Sequence, residues 1–340
     1  MPRLRVALVG VGGITRFYRR AYARSPLAEL VALIDVDAQA ALDAAHDCGV
    51  DPSRATTRFE RALGDDVDAV VVNTPNHLHR EQGTAVLRAG KHLLMQKPLA
   101  PTLADAEALA REARGADVVA GLYHSYLDHP LVHELRASVA AGNLGEIVHV
   151  YGRLTHRGGI AWSNDAVAGN ATWRSSLAQT GGGCFIQLGV HYLQLATWIS
   201  GGEPVAVRGS AANVMSPGIE GEDLATAIVR YKNGMQATVD TGWIADGEEL
   251  AVAGTAATAR YLDQRWWIAP GEAPREWRPP AFDDVDNPYN GHRAFLEACA
   301  GLKEIPVPLV RGLTEMRLVD AFYRSAQNGG QEAAVEAVLA

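Results

Sequence analysis

Cysteine is scarce in this chain. Its three residues, Cys48, Cys184 and Cys299, are odd in number, widely scattered and without a CxxC spacing. Such a set excludes a disulfide framework and predicts reduced core thiols in a cytoplasmic protein. Long apolar runs are also missing. The first one, Val6–Val11, is too short for a secretory signal or a membrane span and is better explained as a strand. There is no basic excess either. The formal net charge is −8, and residues 1–121 carry 15 Lys/Arg against 15 Asp/Glu, so the acid excess lies in the remainder. That balance argues against general binding to nucleic acid or an anionic membrane. Neither an internal repeat nor a low-complexity segment is present.

What is present is 340 residues with 48% hydrophobic content, enough for two domains, which we expect over 1–121 and 122–340. The chain opens on a buried-strand run, Leu4–Val9, that passes into Gly10-Val11-Gly12-Gly13-Ile14-Thr15 and then a helical pattern. This is the G-x-G-x-x-(G/A) pattern with Thr in the third place. The first glycine allows a tight turn, the second lets backbone approach a pyrophosphate, and the following helix N-terminus attracts its charge. A second strand, Leu30–Ile34, ends at Asp35, where an acid would bind a ribose hydroxyl. The reading at this point is a nucleotide site that prefers NAD to NADP.

The alternation continues with strands over Ala69–Val72, His92–Met95 and Val118–Ala120, and with helices through Ala85–Ala89 and Leu103–Arg114. It predicts a parallel, doubly wound sheet with ligands at the strand carboxyl ends. Asp35, the loop Thr74-Pro75-Asn76-His77-Leu78-His79 and the segment Gln96-Lys97-Pro98 all fall at such ends.

After a helix over Leu131–Ala141 the period changes to two: Ile147–Arg153, Val205–Asn213, Leu224–Tyr231, Met235–Trp243, Glu249–Gly254, Ala259–Leu262 and Trp266–Ala269. Lys232-Asn233-Gly234 is a hairpin turn within this series. It predicts a large open, mainly antiparallel sheet, with too few helices to cover both faces. An uncovered apolar face of that kind marks a homodimer or homotetramer contact. Terminal helices are expected over Asn290–Ala300 and Leu313–Gln327. His156–Thr180 reads as one long loop holding Arg157, Trp162, Asn170, Trp173 and Arg174, an aromatic and basic content that favours function. His129 and His133 stand i, i+4, but nothing nearby supplies a third ligand, so no metal site is expected.

One segment of the second part is unusual. Residues 187–199 read as a helix that is apolar on nearly every side, with a narrow polar stripe of Gln187, His191 and Gln194. A buried polar stripe has to be satisfied by something.

Taken together, GVGGIT, the Asp35 strand end, NTPNHLH, AGKHLLMQKPLA, GNLGEIVHVYGRL, NATWR, GGGCFIQLGVHYLQLATW and YKNGMQATVDTGW resemble the glucose–fructose oxidoreductase / inositol dehydrogenase / MocA-type family. The resemblance runs in order over essentially the whole chain. It implies an N-terminal Rossmann domain, a C-terminal α+β domain whose open sheet forms the oligomer contact, and NAD(P)-dependent oxidation or reduction of a sugar, cyclitol or related small molecule. It implies that His191 is the general acid/base, that Lys97 polarises the substrate oxygen, and that Gln187 stands at the position of a substrate-binding carboxylate. Gly10, Gly12, Gly13, Ile14, Asp35, Thr74, Pro75, Asn76, His79, Gln96, Lys97, Trp173 and Arg174 would bind the cofactor. Lys97, Tyr126, His156, Arg157, Asn170, Gln187 and His191 would face substrate.

The chain departs from the family pattern in one direction: Gln96, Gln187 and Gln194 stand where carboxylates are usual, and Tyr126 where Arg is frequent. Each amide keeps hydrogen-bonding capacity and removes a negative charge. Hydride transfer with a reset wall charge is the leading expectation. The alternative is redox-neutral chemistry on bound NAD, or a non-catalytic ligand-binding or regulatory protein.

Overall fold

The run LRVALV is apolar without alternation, as a strand covered on both faces must be. In the computed structural model, which describes residues 2–336, it forms β1 (Leu4–Val9). In chain order there follow α1 (Arg19–Arg24), β2 (Ala28–Ile34), α2 (Ala38–Cys48), β3 (Ala55–Thr56), β4 (Ala69–Val72), α3 (His79–Arg88), β5 (His92–Gln96), α4 (Leu103–Gly115) and β6 (Ala120–Tyr123). The chain continues through α5 (Pro130–Ala140), β7 (Ile147–Thr155), α6 (Gly158–Val167), α7 (Leu177–Thr180), α8 (Val190–Ser200), β8 (Pro204–Ala212), β9 (Leu224–Tyr231) and β10 (Gln236–Gly242). It closes with β11 (Gly247–Gly254), β12 (Thr258–Leu262), β13 (Arg265–Ala269), β14 (Arg275–Glu276), α9 (Gly291–Cys299), α10 (Gly312–Gln327) and β15 (Ala333–Ala334). Two compact units result. The first holds residues up to Ala100, Ala104–His129 and Pro280–Leu313, and the second holds Pro101–Leu103, Pro130–Pro279 and the chain from Thr314 on.

The first unit is built on a six-stranded parallel sheet in the order β3-β2-β1-β4-β5-β6. That order reverses direction between β1 and β4, and a doubly wound sheet binds its ligand at such a switch point. Local signals set the connections. Asp37 caps α2 by accepting from Gln39 N at 2.8 Å, and Gly49 ends that helix in the left-handed region at φ 64°. The strand expected over Val118–Ala120 lies instead at Ala120–Tyr123. Gly121 is not its terminator. A Cβ on Gly121 would crowd the Ile305 side chain at 3.1 Å, and Leu122 N donates to Val307 O at 3.0 Å.

The second unit carries a nine-stranded sheet in the order β14-β13-β12-β11-β7-β10-β9-β8-β15. It is mostly antiparallel, with β7 and β10 parallel in its middle. The expected hairpin joins β9 to β10, with Gly234 at φ +88°. Strand β9 alternates without exception, exposing Leu224, Thr226, Ile228 and Arg230 and burying Ala225, Ala227, Val229 and Tyr231. Helix α8 seats on the buried face through a glycine: a Cβ on Gly152 of β7 would lie 2.1 Å from the Tyr192 ring. The other face is open, but it is mixed rather than apolar. Tyr151 donates to Asp240 at 2.9 Å, and His149 Nε2 meets Thr238 Oγ1 at 3.1 Å across neighbouring strands.

Two further expectations change. Residues 156–180 are not one loop, because α6 and α7 form within them. The sequence of α6 is weakly amphipathic, and the helix is held from outside instead. Gly159 lies against Trp243, where a Cβ would come within 2.3 Å, and Ser163 Oγ accepts from Gly218 N at 2.8 Å. The polar-striped helix begins earlier than residue 187. Phe185–Gly189 form a π-helical turn before α8. Gln187 therefore sits on a widened turn, a feature that recurs at functional sites.

Candidate active site

In the first unit the glycine loop leaves β1 at Gly10, which is required twice over. Its φ is +79°, and a Cβ would come within 2.8 Å of the Asn73 carbonyl at the end of β4. Thr15, in the place of the third glycine, is fully buried, and its hydroxyl donates to Gly10 O at 2.5 Å. The departure from the glycine pattern is thus satisfied inside the loop itself. Gly12 and Gly13 differ. A Cβ on Gly12 would meet only Asp35 Oδ2 at ordinary contact distance, 3.6 Å, and one on Gly13 would meet nothing within 4 Å. Both point to open space beside exposed backbone, which is what a pyrophosphate cradle requires. Ile14 is exposed next to them.

Asp35 closes the loop. Its Oδ2 accepts from Val11 N at 3.0 Å and Gly12 N at 3.1 Å, and its Oδ1 accepts from Asp37 N at 3.1 Å. The carboxylate is therefore fixed at the end of β2 beside the open cradle. At the end of β4, Thr74 Oγ1 donates to Gln82 at 2.6 Å, and Asn76 is buried. His79 is 1% exposed, with Nδ1 2.8 Å from Pro98 O and Nε2 2.8 Å from Thr74 O. It ties the Thr74-Pro75 loop to the Lys97-Pro98 segment, whose peptide bond is cis. Burial lowers the His79 pKa against the pull of those two carbonyls.

Gln96 Oε1 accepts from Lys97 N at 2.9 Å, and the side chain is buried. Its Nε2 faces the Tyr18 hydroxyl without a hydrogen bond of standard geometry among the described residues. The Tyr18 hydroxyl itself donates to Asn73 Oδ1. An amide at 96 keeps the acceptor for Lys97 N and brings no charge into this buried cluster. Tyr126 also belongs to this unit, where its ring stacks on His129 at 5.3 Å.

In the second unit His191 and Gln194 are each 6% exposed, and Gln187 is half-buried. His156, at the end of β7, accepts from Gly158 N at Nδ1, 2.9 Å away. Its ring meets Trp162 edge-on at 5.7 Å, and Trp162 meets Trp243 edge-on at 5.3 Å. Arg174 lies over two indoles, 5.0 Å from the Trp162 centroid and 4.5 Å from that of Trp173, and burial lowers its pKa. Arg157 makes an exposed pair with Asp246 at 3.1 Å, and Asn170 is exposed after α6. The structure thus gathers His156, Trp173 and Arg174 with Trp162 and Trp243 into one aromatic and basic cluster. Trp243, just past the end of β10, escapes a reading by motif, since a lone tryptophan at a strand end carries no signal of its partner.

The model of an oxidoreductase family with an NAD-binding Rossmann fold matches residues 4–124, and that of a GFO/IDH/MocA C-terminal domain matches 132–260. The 1,5-anhydro-D-fructose reductase of Ensifer adhaerens is 33% identical over 236 residues, 68% of this chain and 67% of the relative. The chain belongs to the GFO/IDH/MocA oxidoreductase family. Solved structures share the fold. An inositol dehydrogenase homologue from Azotobacter vinelandii, complexed with NAD+, superposes with a TM-score of 0.84 at 23% identity, covering 98% of this chain and 97% of the other. Levoglucosan dehydrogenase in complex with NADH and levoglucosan gives 0.86 at 19% identity, covering 99% and 100%. Among the described residues no helix is long and apolar enough to cross a membrane, and no group of three or more His, Cys, Asp or Glu is placed to hold a metal ion.

Proposed function

We propose that this GFO/IDH/MocA protein transfers hydride between NAD and a hydroxyl or keto carbon of a sugar, cyclitol or related small polar metabolite. The observation that carries the reading is the Gly12-Gly13 cradle, open to a ligand and flanked by the fixed Asp35 carboxylate at the sheet's switch point. The names of the relatives, a reductase of an anhydro sugar and a dehydrogenase bound to levoglucosan, support the substrate class.

The residues present fit a dinucleotide, with its pyrophosphate against Gly12 and Gly13 and its adenosine ribose on Asp35. Bound NAD supplies a hydride acceptor, or in reduced form a donor. In oxidation His191 takes the hydroxyl proton while the C–H bond breaks and the carbonyl forms. The Lys97 ammonium stabilises the charge that develops on that oxygen. Gln187, with Tyr126, His156, Arg157 and Asn170, recognises the remaining substrate oxygens. Neutral amides at 96, 187 and 194 leave this wall without the carboxylates frequent in the family, which suits a carbonyl to be reduced. Trp173 and Arg174 also bind the cofactor.

The same reading places the protein in the cytoplasm, with its three thiols unpaired. It assigns a homodimer or homotetramer to the open face of the second sheet, where Leu224, Ile228 and Leu262 stand exposed among polar neighbours. A monomer in light scattering at micromolar concentration contradicts that assignment. The activity is tested with a panel of polyols and keto sugars at the reduced-nicotinamide absorbance band. Bound NAD(H) with no net redox turnover on any of them favours redox-neutral or regulatory work.

A further inference from the structure

The helix that carries Gln187 and His191 starts where the local sequence offers no cap. Gly181-Gly182-Gly183 have no side chains to accept from its first amides, and free amides at a buried helix start are costly. They are satisfied by a residue about forty positions further on. Glu222 Oε2 accepts from Gly183 N at 2.9 Å, Glu222 Oε1 accepts from Phe185 N at 2.9 Å, and the Glu222 main-chain O accepts from Cys184 N at 2.8 Å. Three successive donors end on one residue. The Tyr323 hydroxyl donates to Oε1 at 2.9 Å and holds the carboxylate in place.

The glycines are the counterpart of this cap. A Cβ on Gly183 would lie 2.0 Å from Glu222 O, and one on Gly182 would lie 1.9 Å from the Tyr323 hydroxyl. Gly182 and Gly183 are thus explained by close approach to Tyr323 and Glu222, while Gly181, at φ +81°, lies against the Pro101 backbone, where a Cβ would come within 2.0 Å of its carbonyl oxygen. Glu222 is 8% exposed, and a negative charge at a helix N-terminus is favourable.

The cap is also the end of a rigid loop. Asp223 accepts from Val214 N at 2.7 Å and Met215 N at 2.8 Å, while Asn213 Nδ2 donates to Ser216 O, Ile219 O and Gly221 O at 2.8–2.9 Å. The same loop holds the other site segments of this unit. Gly218 N donates to Ser163 of α6, and Glu220 accepts from Leu177 N at 2.6 Å while its own N donates to Ser175 O.

From this geometry we infer that Glu222 is a positioning residue for His191: its carboxylate fixes the start of the helix and so the depth at which Gln187 and His191 stand. The inference rests on the reading of His191 as the acid/base. A misplacement of about 1 Å can cost on the order of a hundredfold in rate, so a loosened helix start has room to act through kcat alone.

The test is Glu222→Gln in the full chain. Whichever way the amide turns, its NH2 faces either Gly183 N–H or Phe185 N–H, so one of the two loses its acceptor. We expect hydrogen exchange over residues 183–190 to rise about tenfold or more, with the strand at 204–212 unchanged. The NADH Kd should stay within about twofold, since the cradle and Asp35 lie in the first unit, and kcat per NADH-binding site should fall about tenfold to a hundredfold. If this variant does not fold, Tyr323→Phe, which removes one donor to the carboxylate, is read on the same two quantities, each moving about threefold. Unchanged exchange overturns the proposal. Raised exchange with unchanged kcat also overturns it, leaving Glu222 a cap without a positioning role. The hydride reading fails separately: if His191→Ala keeps turnover, the assignment of the base is wrong whatever the exchange data say.

Discussion

The Asp35 carboxylate accepts the backbone N–H groups of both Val11 and Gly12, so the acid at the end of β2 and the glycine turn after β1 form one unit. A carboxylate fixed there repels a ribose 2′-phosphate. The wild-type protein should bind NADH at least about tenfold tighter than NADPH, and Asp35→Asn should narrow that ratio while keeping an acceptor for the two amides. Calorimetric titration with both cofactors measures it. Tighter NADPH binding by the wild type contradicts the assignment.

His79 joins two loops on the cofactor side through carbonyls at both ring nitrogens. His79→Leu keeps bulk and removes both contacts. NADH affinity should fall about tenfold, close to the value of one or two lost buried hydrogen bonds. An unchanged Kd by fluorescence titration removes His79 from the account of cofactor binding.

A buried cluster under α9 sets opposing pH dependences. Tyr123 donates to Asp128 at 2.8 Å, and His292 stacks between Tyr18 and Tyr123 at 3.8 and 4.0 Å. Burial pushes the Asp128 carboxyl up to about 7. The folded state then holds a proton that the unfolded chain has released. That contribution is full below the ordinary carboxylate value and is lost as pH rises to about 7. Burial holds His292 down at about 3, so its contribution is present above its ordinary 6.5 and is lost as pH falls toward about 3. Asp128→Asn should therefore raise Tm at pH 8 by about 2–4 °C and leave the loss on the acid side. Calorimetry across pH checks this, and an unaltered slope between pH 4 and 7 rules it out.

Gln187→Asp tests the amide wall. A carboxylate one turn before His191 favours the imidazolium, so the limb of the pH–rate profile governed by His191 should move to higher pH. Activity on neutral polyols should hold or rise, while activity on the best substrate of the wild type falls. A profile that does not move means that residue 187 does not touch the chemistry.

Much of this was legible in the sequence because local signals carried it. The unbroken apolar run of β1, the strand-end positions of Asp35 and Lys97, the Asn233-Gly234 turn and the strict alternation of β9 each require one backbone answer. The parts that were not legible depend on distant partners. Helix α6 forms because Gly159 and Ser163 meet Trp243 and Gly218, which no window over 156–180 contains. Gly121 reads as a terminator until Ile305 is seen beside it. Nor can three glycines reveal that their cap is Glu222. The π-helical turn at Phe185–Gly189 leaves no mark in hydrophobic periodicity, although it decides where Gln187 stands.

The central claim is that His191 and Lys97 carry hydride chemistry. It is tested most directly by steady-state turnover of the wild type, His191→Ala and Lys97→Met on the best polyol or keto sugar found, followed at the reduced-nicotinamide absorbance band with NADH affinity measured in parallel. Met keeps the stem of Lys97 and removes its charge and donors. The account predicts turnover by the wild type and a loss of about a hundredfold or more in each variant, with NADH binding within about threefold. Near-wild-type turnover in either variant, or no redox turnover by a wild type that binds NADH, contradicts it.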